Sequence, residues 1–173
     1  MVEKAPYKII KKIEDIEIRT YPKMILAVVE GYQGDSGFSL LFNYISGNNT
    51  AQQKIAMTAP VITSQKIPMT SPVITKKDYM AFILPSEYTK DTTPIPQNNE
   101  VKITIQNEKQ FAVLRFSGLT TPQRVEQHTK QLHDILQKNN IPTKGSAIVM
   151  RYNSPFAPRF IRRNEVAVEI KPE

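Results

Sequence analysis

A chain of 173 residues with 23 basic and 16 acidic side chains, two histidines and no cysteine carries a formal charge of +7. The length suits one domain over residues 1–173, which would bury roughly 68–70% of its unfolded surface without a staple; the missing thiol excludes disulfides, thiolate metal sites and cysteine nucleophiles. No apolar run approaches a membrane span and the first residues lack the apolar stretch of a secretion signal, so the expectation is a soluble, cytoplasmic protein with a bias toward anionic partners.

Tyr7 to Ile13 and Ile16 to Tyr21 read as a hairpin around Glu14 and Asp15. Met24 to Val29 is continuously apolar, as a buried central strand is. Three glycines between Gly31 and Gly37, with the capping pair Asp35 and Ser36, precede a helix. There Phe38, Leu41, Phe42 and Ile45 recur at i, i+3, i+4 and i+7, a stripe predicted to pack on the sheet. Leu40 and Tyr44 widen it, and Gly47 to Asn49 stops it.

Ile55 to Thr63 then reads Ile-Ala-Met-Thr-Ala-Pro-Val-Ile-Thr, and twelve residues on Ile67 to Thr75 repeats it with only Ala56/Pro68 and Ala59/Ser71 differing. Two copies are too few for a solenoid, so this is a duplicated strand. Pro60 and Pro72 belong at an edge, a strand start or a bulge, because proline gives no ladder donor. Met57 and Met69 either fill a core or line a pocket, where a polarizable, adaptable side chain is useful.

Tyr79 to Leu84 is another strand. Pro85 to Glu100 is a long aperiodic loop. Val101 to Ile105 and Phe111 to Phe116 pair across Gln106 to Gln110. Thr121 caps a helix with Pro122 in its first turn, and Val125, His128, Thr129, Leu132, Ile135 and Leu136 share its apolar face. Asn139, Asn140 and Pro142 end it, and Ser146 to Tyr152 and Val166 to Ile170 are the last strands. The order gives two β-α-β-β halves, roughly 7–84 and 101–170. The predicted fold is α+β: a distorted, mostly antiparallel barrel flanked by two helices, its closure removing exposed edges.

Lys54 to Val61, Lys-Ile-Ala-Met-Thr-Ala-Pro-Val, resembles the signature of the SOUL family of heme-binding proteins. Tyr21-Pro22 after an acidic-apolar strand, Ile83 to Ser86, Tyr152 to Pro155 and Arg162 to Val166 follow in the family's order, so the resemblance covers nearly the whole chain. It implies the same barrel and non-covalent binding of heme or another tetrapyrrole. Some relatives carry a histidine, proposed as an axial ligand, where this chain has Thr20. Others lack it and are thought to use a hydrophobic groove with basic residues near the propionates; that second mode is the one expected here. Ala167 also departs from the tryptophan common after the Asn-Glu-Val piece.

The candidate wall of such a groove is Phe38, Leu41, Phe42 and Ile45 with Met57, set against the alternative that the stripe is plain core. The candidate clamp is Phe156 with Arg159, Arg162 and Arg163, whose guanidiniums could make charge-assisted bonds to propionates; a solvated basic face with Glu165 as local partner is the other reading. His128 and His133 lie about 140° apart on a helix and cannot share a metal. His128 is either a hydrogen-bonded core residue or an axial ligand.

No nucleophile elbow, zinc-protease, phosphate-loop or dinucleotide motif occurs. The reading is therefore a non-enzymatic tetrapyrrole carrier or buffer, with no nucleic acid partner and room for a protein partner. The alternative is an effector-sensing or protein-interaction module, since the fold resembles the effector-binding domains of bacterial regulators.

Overall fold

The computed structural model describes residues 3–31, 34–64, 78–153 and 156–172. Ten strands form one sheet: β1 (Glu3–Lys4), β2 (Lys8–Ile13), β3 (Ile16–Tyr21), β4 (Met24–Glu30), β5 (Thr58–Ser64), β6 (Tyr79–Ile83), β7 (Val101–Gln106), β8 (Lys109–Phe116), β9 (Thr143–Arg151) and β10 (Asn164–Ile170). Among the described residues, two helices, α1 (Gly34–Ile45) and α2 (Pro122–Lys138), and a 3-10 turn at Arg159–Ile161 accompany the sheet. The second copy of the repeat, 67–75, lies outside the described residues. The first copy supplies β5, with Pro60 at a register shift between Thr58 and Val61, as a residue without a ladder donor requires.

The strand order β2-β3-β8-β10-β9-β5-β6-β4-β7 contains a pseudo-two-fold arrangement. β7-β4-β6-β5 carries α1, and β3-β8-β10-β9 carries α2. They join through the antiparallel β5·β9 pair. Each half lends its leading strand to the other: β3 pairs with β8, and β7 with β4. All these pairs are antiparallel; β1 adds to β5 in parallel.

Strand alternation divides the core into three. One face buries Ile25, Ala27, Val29, Met80, Phe82 and Val101 under Leu41, Tyr44 and Ile45 of α1. In the other half the same face buries Ile16, Ile18, Leu114, Val149, Val166 and Val168 under Val125, Leu132, Ile135 and Leu136 of α2. The opposite, concave face joins residues of both halves, among them Tyr21, Leu26, Ile62, Ile83, Phe111, Met150 and Ala167. The sheet is thus curled with both helices outside, as predicted.

Expected closure through strand pairing does not occur: among the described residues the ladder ends at β2 and β7. The β2 edge exposes Ile9 and Ile10 but sets Lys8, Lys11 and Lys12 beside them and has a register shift between Ile9 and Lys11. Lysines and bulges both discourage edge-to-edge pairing. The loop 85–100 is fastened to the end of α1: the Tyr44 hydroxyl donates to the Pro94 carbonyl at 2.7 Å, and Thr50 N–H donates to Ile95.

Candidate ligand-binding site

One cross-strand row runs over the centre of the helix-bearing face. Phe82 on β6 faces Val61 on β5, Val61 faces Arg151 on β9, Arg151 faces Asn164 on β10, and Asn164 faces Phe116 on β8. Residues directly opposite share a face. Phe38 from α1 rests edge-on against Phe82, with ring centroids 5.3 Å apart. His128 from α2 stacks on Phe116 at 4.1 Å and 10°. The row is the floor of a saddle whose sides are the two helices.

Arg151 stands in the middle of that floor. Its Nη1 donates to the Thr63 hydroxyl at 2.6 Å and its Nε to the Thr120 hydroxyl at 3.2 Å. Burial pushes its pKa below the usual guanidinium value, as expected for a cation taken from water. Among the described residues it joins no ion pair. Arg124, in the first turn of α2, approaches the same turn from the other side. Its Nη2 donates to the Ser117 carbonyl at 2.7 Å, and its buried Nε has no hydrogen-bond partner among the described residues. Thr121 caps α2 as predicted, accepting from Arg124 N–H at 3.3 Å, with Pro122 beginning the helix.

The stripe of α1 divides. Leu41 is fully buried and Ile45 nearly so, in the core against the sheet. Phe38 and Phe42 are instead 38% and 49% exposed, a correction to the expectation that the whole stripe packs inward. Their rings stack at 5.8 Å and 14°. Met57 is partly buried against the α1 core.

The predicted arginine clamp separates more sharply. Phe156 is 96% exposed, Phe160 and Ile161 are exposed beside it, and Arg159 is exposed in the 3-10 turn. Arg162 is half-buried, and its Nε donates to the Ala157 carbonyl at 2.9 Å. Arg163 turns to the concave face, where its Nη2 donates to Glu165 at 3.0 Å and to the Tyr7 hydroxyl at 2.9 Å. Its guanidinium also lies 4.0 Å over the Tyr152 ring. Glu165 is fully buried there and receives a bidentate pair from Arg19, at 2.9 and 2.7 Å. Burial opposes the Glu165 charge, but Arg19 and Arg163 outweigh it and hold the carboxyl below its usual range. The concave face thus presents a carboxylate already engaged by two cations. Burial and the neighbouring Glu165 push the Tyr152 hydroxyl far up. Ala167 is fully buried in this interior cluster, with Tyr7 and Tyr152 packed against it.

His133 is exposed on α2. His128 is half-buried, its Nδ1 2.7 Å from the Arg124 carbonyl. Of the two, only His128 packs, stacked on Phe116. Thr20 pairs with Gln110, six positions along β8 from Phe116, about 20 Å at the antiparallel rise. Arg151 escaped the sequence reading because its hydroxyl partners come from β5 and from a turn. The one local signal was an arginine closing an otherwise apolar strand end.

The family model described as SOUL heme-binding protein matches residues 2–169. The chain belongs to the SOUL heme-binding protein family. It is 31% identical to Heme-binding protein 2 of Mus musculus, over 97% of this chain and 88% of that protein. It is 32% identical to Heme-binding protein 2 of Homo sapiens, over 86% and 74% respectively. Among solved structures, this SOUL family member resembles an uncharacterized conserved protein from Listeria innocua, with TM-score 0.66, 10% identity and coverage of 92% and 94%. It also resembles the C-terminal domain of EcmrR, with TM-score 0.61, 9% identity and coverage of 95% and 98%. At those identities the likeness is one of fold. Among the described residues, no cluster of three histidine, aspartate or glutamate side chains could hold a metal, and no helix is long and apolar enough to cross a membrane.

Proposed function

We propose that this protein binds heme or another tetrapyrrole reversibly on its helix-bearing face, as a carrier or buffer rather than an enzyme. The observation that carries the reading is the stacked Phe38–Phe42 pair, left half-exposed on α1 immediately above a closed core. Two adjacent half-exposed phenylalanines forgo about half the value of full burial, roughly 0.7–1.5 kcal/mol per side chain, which a flat apolar ligand would recover. A tetrapyrrole offers such a face and, in heme, two carboxylates. Phe38, Phe42 and Met57 form the apolar wall, while Leu41 and Ile45 support it from below. Phe156 and the arginines Arg159 and Arg162 stand in the loop that leaves β9 one residue beyond Arg151. Arg163 supports the base of that loop through Glu165.

Membership of the family and the relatives' name support the ligand class. The engaged carboxylate of the concave face supports placing the ligand outside the sheet. When bound, heme would supply a redox-capable iron. The reading assigns the protein only binding and orientation, with no defined histidine ligand from position 20.

Absorbance titration with hemin tests it. A saturable Soret change is expected, weakened about tenfold or more in the Phe38→Ala/Phe42→Ala protein. Absence of any saturable change in the wild-type protein overturns the reading; an unchanged titration in the double variant removes α1 from the site.

A further inference from the structure

A buried cation without a counter-charge is costly, because the attraction that would offset its lost hydration is missing. Arg19 and Arg163 both have that compensation in Glu165. Arg151, which is half-buried, does not: its two bonds go to neutral hydroxyls of Thr63 and Thr120. Among the described residues no carboxylate pairs with it. Residues 65–77 and 154–155 contain no aspartate or glutamate. Glu165, though adjacent to Asn164 in the chain, points to the opposite face of the sheet.

The surroundings add positive charge. Arg124 reaches the turn that holds Thr120, and α2 begins there with no acidic residue in its first turn, so its dipole favours an anion. Thr63 and Thr120 hold the guanidinium fork in place. A planar fork matches a carboxylate with two parallel bonds. Across the row, Val61 and then Phe82 continue from Arg151 toward Phe38. Two strand spacings, about 10 Å, thus separate the cation from the aromatic wall.

We infer that Arg151 is the anchor for a carboxylate of the bound ligand, in a site on the β5·β9 pair that takes flat, apolar molecules with an acidic edge. This rests on the proposed placement of the ligand between the helices. It moves the main reader of charge from the arginine loop to the centre of the sheet. A second propionate remains for Arg159 or Arg162.

Fluorescence titration with mesoporphyrin IX, a metal-free tetrapyrrole diacid, and with its dimethyl ester tests the assignment at fixed ionic strength. Arg151→Gln should weaken the diacid by about tenfold or more and leave the diester within about twofold. Lys138→Gln removes an equal charge from the distant end of α2, where Lys138 pairs with Glu14, and should change neither. Equal losses for diacid and diester, or an unchanged diacid, overturn the assignment. Arg151→Met, an apolar side chain of similar length, replaces the glutamine variant if that protein does not fold, with the same pattern expected. A parallel arm uses sodium benzoate, against equal sodium chloride, and reads the thermal midpoint. Benzoate should raise the midpoint of the wild-type protein and not that of Arg151→Met. If the wild-type protein binds neither porphyrin, the tetrapyrrole reading fails, and the benzoate arm alone decides Arg151: no difference between the two proteins overturns it.

Discussion

Arg19 and Glu165, 146 positions apart, meet through two parallel hydrogen bonds of 2.9 and 2.7 Å in the concave interior. Glu17 and the Tyr21 hydroxyl complete the guanidinium's partners, and the Tyr7 ring lies 4.0 Å beneath it. Glu165→Ala should therefore be severe, about 3–5 kcal/mol, because it removes the buried carboxylate that Arg19 and Arg163 share and leaves Arg19 only the part-buried Glu17. Urea midpoints compare the variant with wild type; a change within error would mean that water reaches the pair. The pH dependence has a definite sign. A folded carboxyl held below its unfolded value stabilises fully above the unfolded pKa of 4.5 and loses that contribution as pH falls through the lower folded value. Wild-type stability should thus decline below about pH 4.5, and Glu165→Gln should flatten that decline.

The split stripe of α1 predicts unequal costs within one turn of helix. Leu41→Ala, at a fully buried position, should cost about 2–5 kcal/mol. Phe42→Ala, at a half-exposed one, should cost about half of a buried phenylalanine, roughly 1.5–2.5 kcal/mol, yet weaken hemin binding more than any stability loss explains. Chemical denaturation beside hemin titration separates the two effects. A Phe42 variant as unstable as the Leu41 variant would return Phe42 to the core.

The arginine loop should behave unevenly under single substitutions. Arg163→Ala removes a cation from Glu165 and a donor from Tyr7, so it should lower thermal stability by several degrees, equivalent to about 1–3 kcal/mol. Arg159→Ala, in the exposed turn, should leave the thermal midpoint unchanged. Its effect should appear only in hemin affinity, and fall as salt is raised.

Thr121→Ala should cost about 1 kcal/mol through the lost cap of α2. Hydrogen exchange would show the loss at Gln123 and Arg124 first. Thr121→Ser should restore most of it, since the acceptor oxygen is what matters.

Features made by neighbours in the chain were legible. Thr121 with Pro122, the hairpin at Glu14, and the terminating Asn139 and Asn140 all act within one turn of backbone. The periodicity of α2 was legible too, because Val125, Leu132, Ile135 and Leu136 meet the sheet and His128 stacks on Phe116, while Thr129 stays half-buried. On α1 the same pattern misled, since only the Leu41–Tyr44–Ile45 side faces the sheet and the phenylalanines fall at the margin. β1 is two residues long and exists only because β5 lies beside it. Arg163 and Arg162 were indistinguishable as a string, yet Arg163, just before β10, turns inward to Glu165 while Arg162 bonds its own loop. Arg19, Glu165 and Arg151 depend on partners from other strands, and no local pattern announces them.

The exchange of β3 and β7 between the halves bears on how the protein is made. As the chain emerges during synthesis, β4 lacks its outer neighbour until Val101–Gln106 has been added, and β3 waits for Lys109–Phe116. The amino-terminal half thus leaves the ribosome with an incomplete sheet. Cutting the chain in the 85–100 loop would yield two pieces that each carry a strand the other needs. Co-expressed, those pieces should reassemble into one particle, whereas either alone should be insoluble, a behaviour suited to a split reporter.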